Sequence, residues 1–257
     1  MLVAINEKRS CSSDESADAA ETAPCNHVRG GVPSRFRPLL MPVEGKITGV
    51  TGVILAGGES RRMGSDKSLL PFNGDRFIER IHRRMTELFE EVIVVTNSPG
   101  LYTGLPCRLI PDLYPNKGAL IGIHSGLYHS RTDKAFVVAC DMPFLSAVVI
   151  RRQCTQGEGR DVVVPCDKQC FEPLHALYDR RCLPAIEELI GKGEKKIDRF
   201  FSGVRVHEMP LTAFADCDPE GRSFRNINTP EDYFALRFSA REDMAVAPHS
   251  ESCCQRG

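Results

Sequence analysis

From Val50 onward the chain alternates between short, wholly apolar runs and stretches with helical period. Val50 to Leu55 is brief, β-branched and apolar at consecutive positions, the pattern of a strand covered on both faces of a parallel sheet. Arg76 to Phe89 places Phe77, Ile81, Met85, Leu88 and Phe89 at helical spacing behind Asp75 as a cap, and Val92 to Thr96 is a second buried strand. The three together make a βαβ unit. The alternation continues with a strand at Cys107 to Ile110, a helix at Leu120 to His129, a strand at Ala135 to Ala139 and a helix at Ala147 to Gln153 capped by Ser146. Such a pattern predicts an α/β fold with a doubly wound, mostly parallel sheet. In sheets of this kind ligands sit beyond the carboxyl ends of the strands, where residues 57–58, Asn97, Asp112 and Asp141 all fall.

After Asp161 the pattern changes. Val162 to Pro165 and Phe171 to Leu174 are apolar segments separated by Cys166 to Cys170, which reads as a hairpin or a small β-excursion. A helix from Cys182 to Ile190 follows, with Pro184 in its first turn where the missing N–H costs nothing. A strand is expected near Val204 to His207, and Thr229 can cap a helix that opens with Pro230. Residues 1–45 and 239–257 are polar and lack an apolar stripe, so they are expected to be unstructured ends around one domain at residues 46–238.

The 257 residues are 42% hydrophobic and 26% charged, enough for one α/β domain of moderate size. A formal net charge of -1 leaves no global basic field, so a nucleic-acid partner is not expected. No apolar run reaches the roughly 18 residues of a membrane helix, and the N-terminus has no apolar signal core before a small-residue cleavage site. The expected setting is the cytoplasm, with no membrane partner. Eleven cysteines show no Cys-x-x-Cys pair or regular spacing, so a disulfide framework is not expected. Cys166, Cys170 and His175 lack an evident fourth partner for a zinc site.

Candidate chemistry concentrates after the first strand, where the chain runs into Gly57, Gly58 and Gly64 among Arg61, Arg62 and Lys67. Glycines let backbone N–H groups approach an anion closely, and three cations in so short a loop exceed what a turn alone requires. The loop is not the phosphate loop of ATPases, because Ser65 rather than Lys follows Gly64, and its adjacent glycines are not the dinucleotide fingerprint. The ungapped run Leu55-Ala-Gly-Gly-x-Ser-x-Arg-Met-Gly-x-Asp-Lys67 instead resembles the signature of the molybdenum cofactor guanylyltransferases. These are a branch of the sugar-nucleotide-type nucleotidyltransferases, and the resemblance extends from about Val50 to Tyr233.

The resemblance implies a Rossmann-like nucleotidyltransferase fold in which the β-excursion serves the acceptor. It further implies transfer of GMP from GTP to the phosphate of molybdenum-molybdopterin, with magnesium as cofactor and pyrophosphate as leaving group. GTP-binding residues would be Leu55, Ala56, Gly57, Gly58, Lys67, Asn97, Asp112 and Asp141. Lys67 and Arg61 suit charge moving onto the departing pyrophosphate, and Asp141, fixed at the end of a buried strand, suits a magnesium ligand. Asp112 occupies the family position against the guanosine, where a carboxylate could accept from the N1–H and amino group of guanine. Glu172 and His175 lie in the segment near the acceptor, although a histidine among apolar neighbours is also an ordinary structural residue. Ala119 replaces the usual proline of the Gly118 to Gly122 segment. Transient contacts with other cofactor-assembly proteins would accompany such a role.

Three other readings stay open at this stage. A cytidylyltransferase on the same pterin would share fold and loop, though cytidylyl relatives tend to carry Ala-Ala in place of Gly57 and Gly58. A nucleotidyltransferase for another phosphorylated acceptor is the second. A nucleotide-binding regulator or adaptor is the third, but it would not need both Lys67 and Asp141.

Overall fold

The computed structural model describes residues 45–57, 67–72, 74–115, 118–168 and 170–235. The expected tail and the arm before Gly45 lie outside them. In chain order, β1 (Ile47–Leu55) is followed by the short pair β2 (Pro71–Phe72) and β3 (Asp75–Arg76), then α1 (Phe77–Leu88), β4 (Phe89–Val95) and β5 (Arg108–Ile110). Next come α2 (Ala119–His129), β6 (Lys134–Ala139), α3 (Ala147–Thr155), β7 (Val162–Asp167), β8 (Cys170–Phe171), β9 (His175–Asp179), α4 (Leu183–Gly191) and β10 (Val206–Pro210).

The main sheet runs β10-β7-β9-β6-β1-β4-β5, with β8 paired to β7 and β2 paired to β3 separately. β1 pairs in parallel with both β4 and β6, and β5 and β10 pair in parallel with β4 and β7. β9 alone on this path runs antiparallel to its neighbours β6 and β7. The expected excursion is therefore in part a member of the main sheet. A tight hairpin from β7 through β8 reverses the chain, whereas a parallel neighbour needs a long crossover, and apolar patterning does not carry that direction.

Alternate residues of β1 enter opposite cores, which is why the strand reads as continuously apolar. Val50 and Ile54 pack with Ile81 and Met85 of α1 and Val149 and Ile150 of α3. Val53 and Leu55 pack with Leu120, Ile123 and Leu127 of α2 and Ile186 of α4. A smaller cluster joins Phe72 and Phe77 to Ile227 and Tyr233, and the Tyr233 hydroxyl donates to the Pro71 carbonyl at 2.6 Å. The start of α1 departs from expectation. Its cap is Arg76, whose N–H donates to the Glu79 carboxylate at 2.7 Å, while Asp75 accepts from Arg83 at 2.6 Å. At residues 229–232 the expected cap is present, with the Asp232 N–H donating to the Thr229 hydroxyl at 3.1 Å.

α2 lies so close to β1 that glycine is required at their contact. A Cβ on Gly126 would stand 2.6 Å from Cγ1 of Val53, a stiff and fully buried side chain, and one on Gly122 would stand 3.2 Å from Leu55. His175 is a second tight point. Its ring is fully buried between the edges of Phe136 and Phe224, with centroids 5.2 and 4.9 Å away, and neither nitrogen has a hydrogen-bond partner among the described residues. Burial pushes its pKa down to about 4, so the neutral ring is the folded form.

Gly126→Ala is expected to cost about 1–3 kcal/mol through overpacking, measured by denaturant unfolding against the wild type. For His175 the unfolded chain binds a proton at higher pH than the folded chain does. Its contribution is therefore complete above about pH 6.5 and declines as pH falls from there toward 4, by roughly 3 kcal/mol in total. Unfolding curves of His175→Leu between pH 7 and pH 4 should lose that part of the slope, and an unchanged slope would contradict this account.

Candidate active site

The register of the ladders brings four strand ends level. Leu55 pairs with Val95 on one side and Ala139 on the other, and Val95 pairs with Ile110. The next residues are stitched together as the chain leaves the sheet. Ala56 N–H donates to Val95 at 2.9 Å, Thr96 N–H to Ile110 at 2.8 Å, and Cys140 N–H to Leu55 at 3.1 Å. Leu55, Ala56, Gly57, Asn97, Asp112 and Asp141 therefore emerge along one edge. Gly58 and Arg61 lie outside the described residues. Lys67 enters them as the first residue of a 3-10 turn, Lys67–Leu69, with its side chain outside the description.

Asn97 and Asp112, which the sequence offers as separate candidates, form one unit. The Asn97 side-chain amide donates to Oδ2 of Asp112 at 2.7 Å, and the Asp112 N–H donates back to Oδ1 of Asn97 at 3.0 Å. The loop is tied to α2 by the Leu113 N–H, which donates to the Ser125 hydroxyl at 3.0 Å. With one bond to its carboxylate and one from its backbone N–H, Asp112 loses little further freedom when it meets a ligand, so its orientation is set beforehand. Gly57 is exposed, and no atom of the described residues comes within 4 Å of where its Cβ would stand. Packing among the described residues gives no reason for glycine there.

Asp141 is 6% exposed at the end of β6. Its carbonyl accepts from the Ile227 N–H at 2.9 Å, and Ile227 is anchored in the cluster with Phe72, Phe77 and Tyr233. Residues 226–233, where the sequence shows only a helix cap at Thr229, are in the structure a support for Asp141. Only the family resemblance could have flagged that segment, because a backbone contact over so long a separation leaves no local pattern. As a hard oxygen donor, Asp141 fits magnesium. Among the described residues there is no group of three or more His, Cys, Asp or Glu placed to hold a metal. A single carboxylate suits an ion that completes its shell with water and phosphate oxygens.

The two acceptor candidates separate. Ala139 N–H donates to Leu174 at 3.1 Å, which sets the turn before β9 against the end of β6, and Glu172 sits in that turn. Its carboxyl is half-buried, and burial pushes its pKa up to about 7. His175, three residues later, is already in β9 and points into the core, so its ring does not reach the edge. The turn lies beside the site while its histidine serves packing. Among the described residues, no helix is long and apolar enough to cross a membrane.

The profile of the MobA-like NTP transferase domain matches residues 52–208. The chain is 40% identical over 185 residues to the molybdenum cofactor guanylyltransferase of Desulfosudis oleivorans, covering 71% of this chain and 92% of the relative. It is 34% identical over 205 residues to that of Syntrophotalea carbinolica, covering 79% and 96%. Among solved structures it resembles molybdopterin-guanine dinucleotide biosynthesis protein A from Archaeoglobus fulgidus, with a TM-score of 0.68, 28% identity, and coverage of 75% of this chain and 99% of that one. The level strand ends, the Gly57 exit and the buried Asp141 thus belong to a nucleotidyltransferase of the MobA-like family, on the branch of the molybdenum cofactor guanylyltransferases.

Proposed function

We propose that this protein transfers GMP from GTP to the phosphate of molybdenum-molybdopterin, releasing pyrophosphate and forming the guanine dinucleotide form of the cofactor. The observation that carries the reading is the convergence of Gly57, the Asn97–Asp112 pair and Asp141 on one sheet edge. An oxygen of the acceptor phosphate attacks the α-phosphorus of GTP. A new P–O bond forms there while the bond to the β-phosphate oxygen breaks, and the electron pair leaves with pyrophosphate. The acceptor phosphate is already anionic at neutral pH, so the step needs alignment and charge stabilisation more than a general base.

The residues divide that work. Gly57 and Gly58 bring backbone N–H groups to the phosphates, and Lys67 and Arg61 follow the charge onto the leaving group. Asp141 would hold magnesium, which when bound offsets the negative charge of the triphosphate. Asp112, oriented by Asn97, accepts from the N1–H and amino group of guanine; cytosine offers no such adjacent donors. Glu172 lies on the acceptor side, and near neutral pH part of the population carries a proton it can donate to the pterin's oxygens. The reaction is placed in the cytoplasm, with the pterin delivered and collected through transient contacts with other cofactor-assembly proteins. The cytidylyl reading shares loop and metal residue, so the base decides between the two.

Incubation with magnesium, molybdenum-molybdopterin and each of the four nucleoside triphosphates should release pyrophosphate chiefly with GTP; equal or greater turnover with CTP would overturn the guanine assignment. Asp112→Ala is expected to lower kcat/KM for GTP about 10- to 100-fold, the range of a hydrogen bond to a charged group, and to narrow the preference over CTP. Asp141→Asn should reduce transfer at least about 100-fold with the unfolding midpoint unchanged. Full activity of that variant at saturating magnesium would remove Asp141 from its metal role.

A further inference from the structure

On the α1 side of the sheet, α1 and the turn at residues 218–223 enclose a cleft of roughly 310 Å³, floored by the residues that follow Asp141 and Met142. We propose that this cleft is a second anion site, which takes a small molecule bearing a phosphate or diphosphate group. It goes beyond the transfer reaction: none of its lining residues is among those assigned to GTP, magnesium or the pterin.

Charge is the first support. Arg80, Arg83 and Arg84 occupy adjacent positions on one face of α1, and Arg222 lines the cleft from the 218–223 turn. Two acids share the lining, Glu87 and Asp218, and both are engaged. Glu87 accepts from Arg84 at 2.7 Å, while the Asp218 carboxylate accepts the N–H groups of Arg222 and Ser223, each at 2.9 Å. Arg83 and Arg222 pair with Asp75 and Glu220 at 2.6 and 2.7 Å. Such exposed pairs contribute little and can turn toward a more highly charged partner. Arg80 differs from them: it lies over the Phe72 ring at 5.5 Å, its Nε donates to the Pro143 carbonyl at 3.0 Å, and no carboxylate pairs with it among the described residues. Burial and the neighbouring Arg83 and Arg84 push its pKa down, so an anion in the cleft relieves a crowd of like charges.

Two hydroxyls supply an independent support. Ser223 lines the cleft and is 1% exposed, and its hydroxyl oxygen has no hydrogen-bond partner among the described residues. A buried hydroxyl without a partner is costly; this oxygen is closed off from solvent, so an oxyanion in the cleft would satisfy it only once the Ser223 side chain turns toward the cleft. Ser146, also in the lining, caps α3, so the positive end of that nine-residue helix opens at the same place. Arginine forks, a buried hydroxyl and a helix start are the donor set of a phosphate site. The cleft stands beside the transfer centre, because its floor begins two residues after Asp141 and its far wall leads to Ile227, which holds the Asp141 carbonyl.

The test uses the full chain carrying Lys67→Ala, which weakens the nucleotide loop, with no divalent metal present. Inorganic pyrophosphate and ADP are titrated by calorimetry in separate arms. One binding event is expected in at least one arm, weakened tenfold or more by adding Arg80→Gln and Arg84→Gln, and severalfold by Ser223→Ala. Tighter pyrophosphate assigns the site to the inorganic ion and tighter ADP to an organic diphosphate; either supports the proposal. Arg84→Gln alone, a change at an exposed side chain, keeps the test decisive if the double variant fails to fold. Binding that disappears with Lys67→Ala, or survives the arginine changes, would overturn it. So would binding of a polyglutamate peptide with none of pyrophosphate or ADP, which would assign the cleft to a protein partner. The readout is independent of guanylyl transfer, so a negative result here leaves that reaction standing.

Discussion

The level ending of β1, β4, β5 and β6 is the constraint on which the rest depends. In a parallel ladder buried on both faces, a slip of one residue would exchange every side chain between the two cores. The packing of Val53 against Gly126 and of Ile54 against Met85 therefore does more than fill space. It fixes the register that delivers Gly57, Asn97, Asp112 and Asp141 to one edge. Position along the chain separates neighbours in this set by 15 places or more, and register removes that distance.

Two kinds of support then turn strand ends into a site. At Asp112 the support is its pairing with Asn97, closed by two hydrogen bonds. At Asp141 it is backbone, with Ile227 holding the Asp141 carbonyl while Phe72, Phe77 and Tyr233 hold Ile227. The difference matches the roles proposed for the two carboxylates. A base-reading group has to keep one orientation, which a neighbouring amide enforces. For the metal role proposed for Asp141, what matters is a rigid strand end, and the main-chain bond from Ile227 supplies it.

What the sequence made legible follows the same division. The strands around β1, β4 and β6 were readable because both strand faces are buried, and α1 because it carries a clear apolar stripe, whereas α2 is buried nearly all round from Leu120 to Leu127. The positions of Gly57, Asn97, Asp112 and Asp141 were readable because ligands in such sheets gather at strand ends. The direction of β9 was not, since hydrophobic period encodes burial and not polarity. Nor was the start of α1, where Arg76 is the cap with its N–H on Glu79 of the first turn while Asp75 turns to Arg83, because acids around a helix start look alike until their partners are placed. The pairing of Asn97 with Asp112 and the reach of Ile227 to Asp141 are tertiary facts with no local trace.

Glu172 and His175 show how finely that limit cuts. They are three residues apart in one family-like segment, and the sequence offers the same role for both. The start of β9 falls between them, so one stays in the turn beside β6 while the other is drawn into the sheet between Phe136 and Phe224. Burial acts on both and in opposite senses, raising the carboxyl to about 7 and lowering the imidazole to about 4, because in each case it disfavours the charged form. The consequences diverge with location. A carboxyl near neutrality at an open edge has chemistry to offer a phosphorylated acceptor, whereas an imidazole kept neutral inside the core contributes shape and makes folding sensitive to acid.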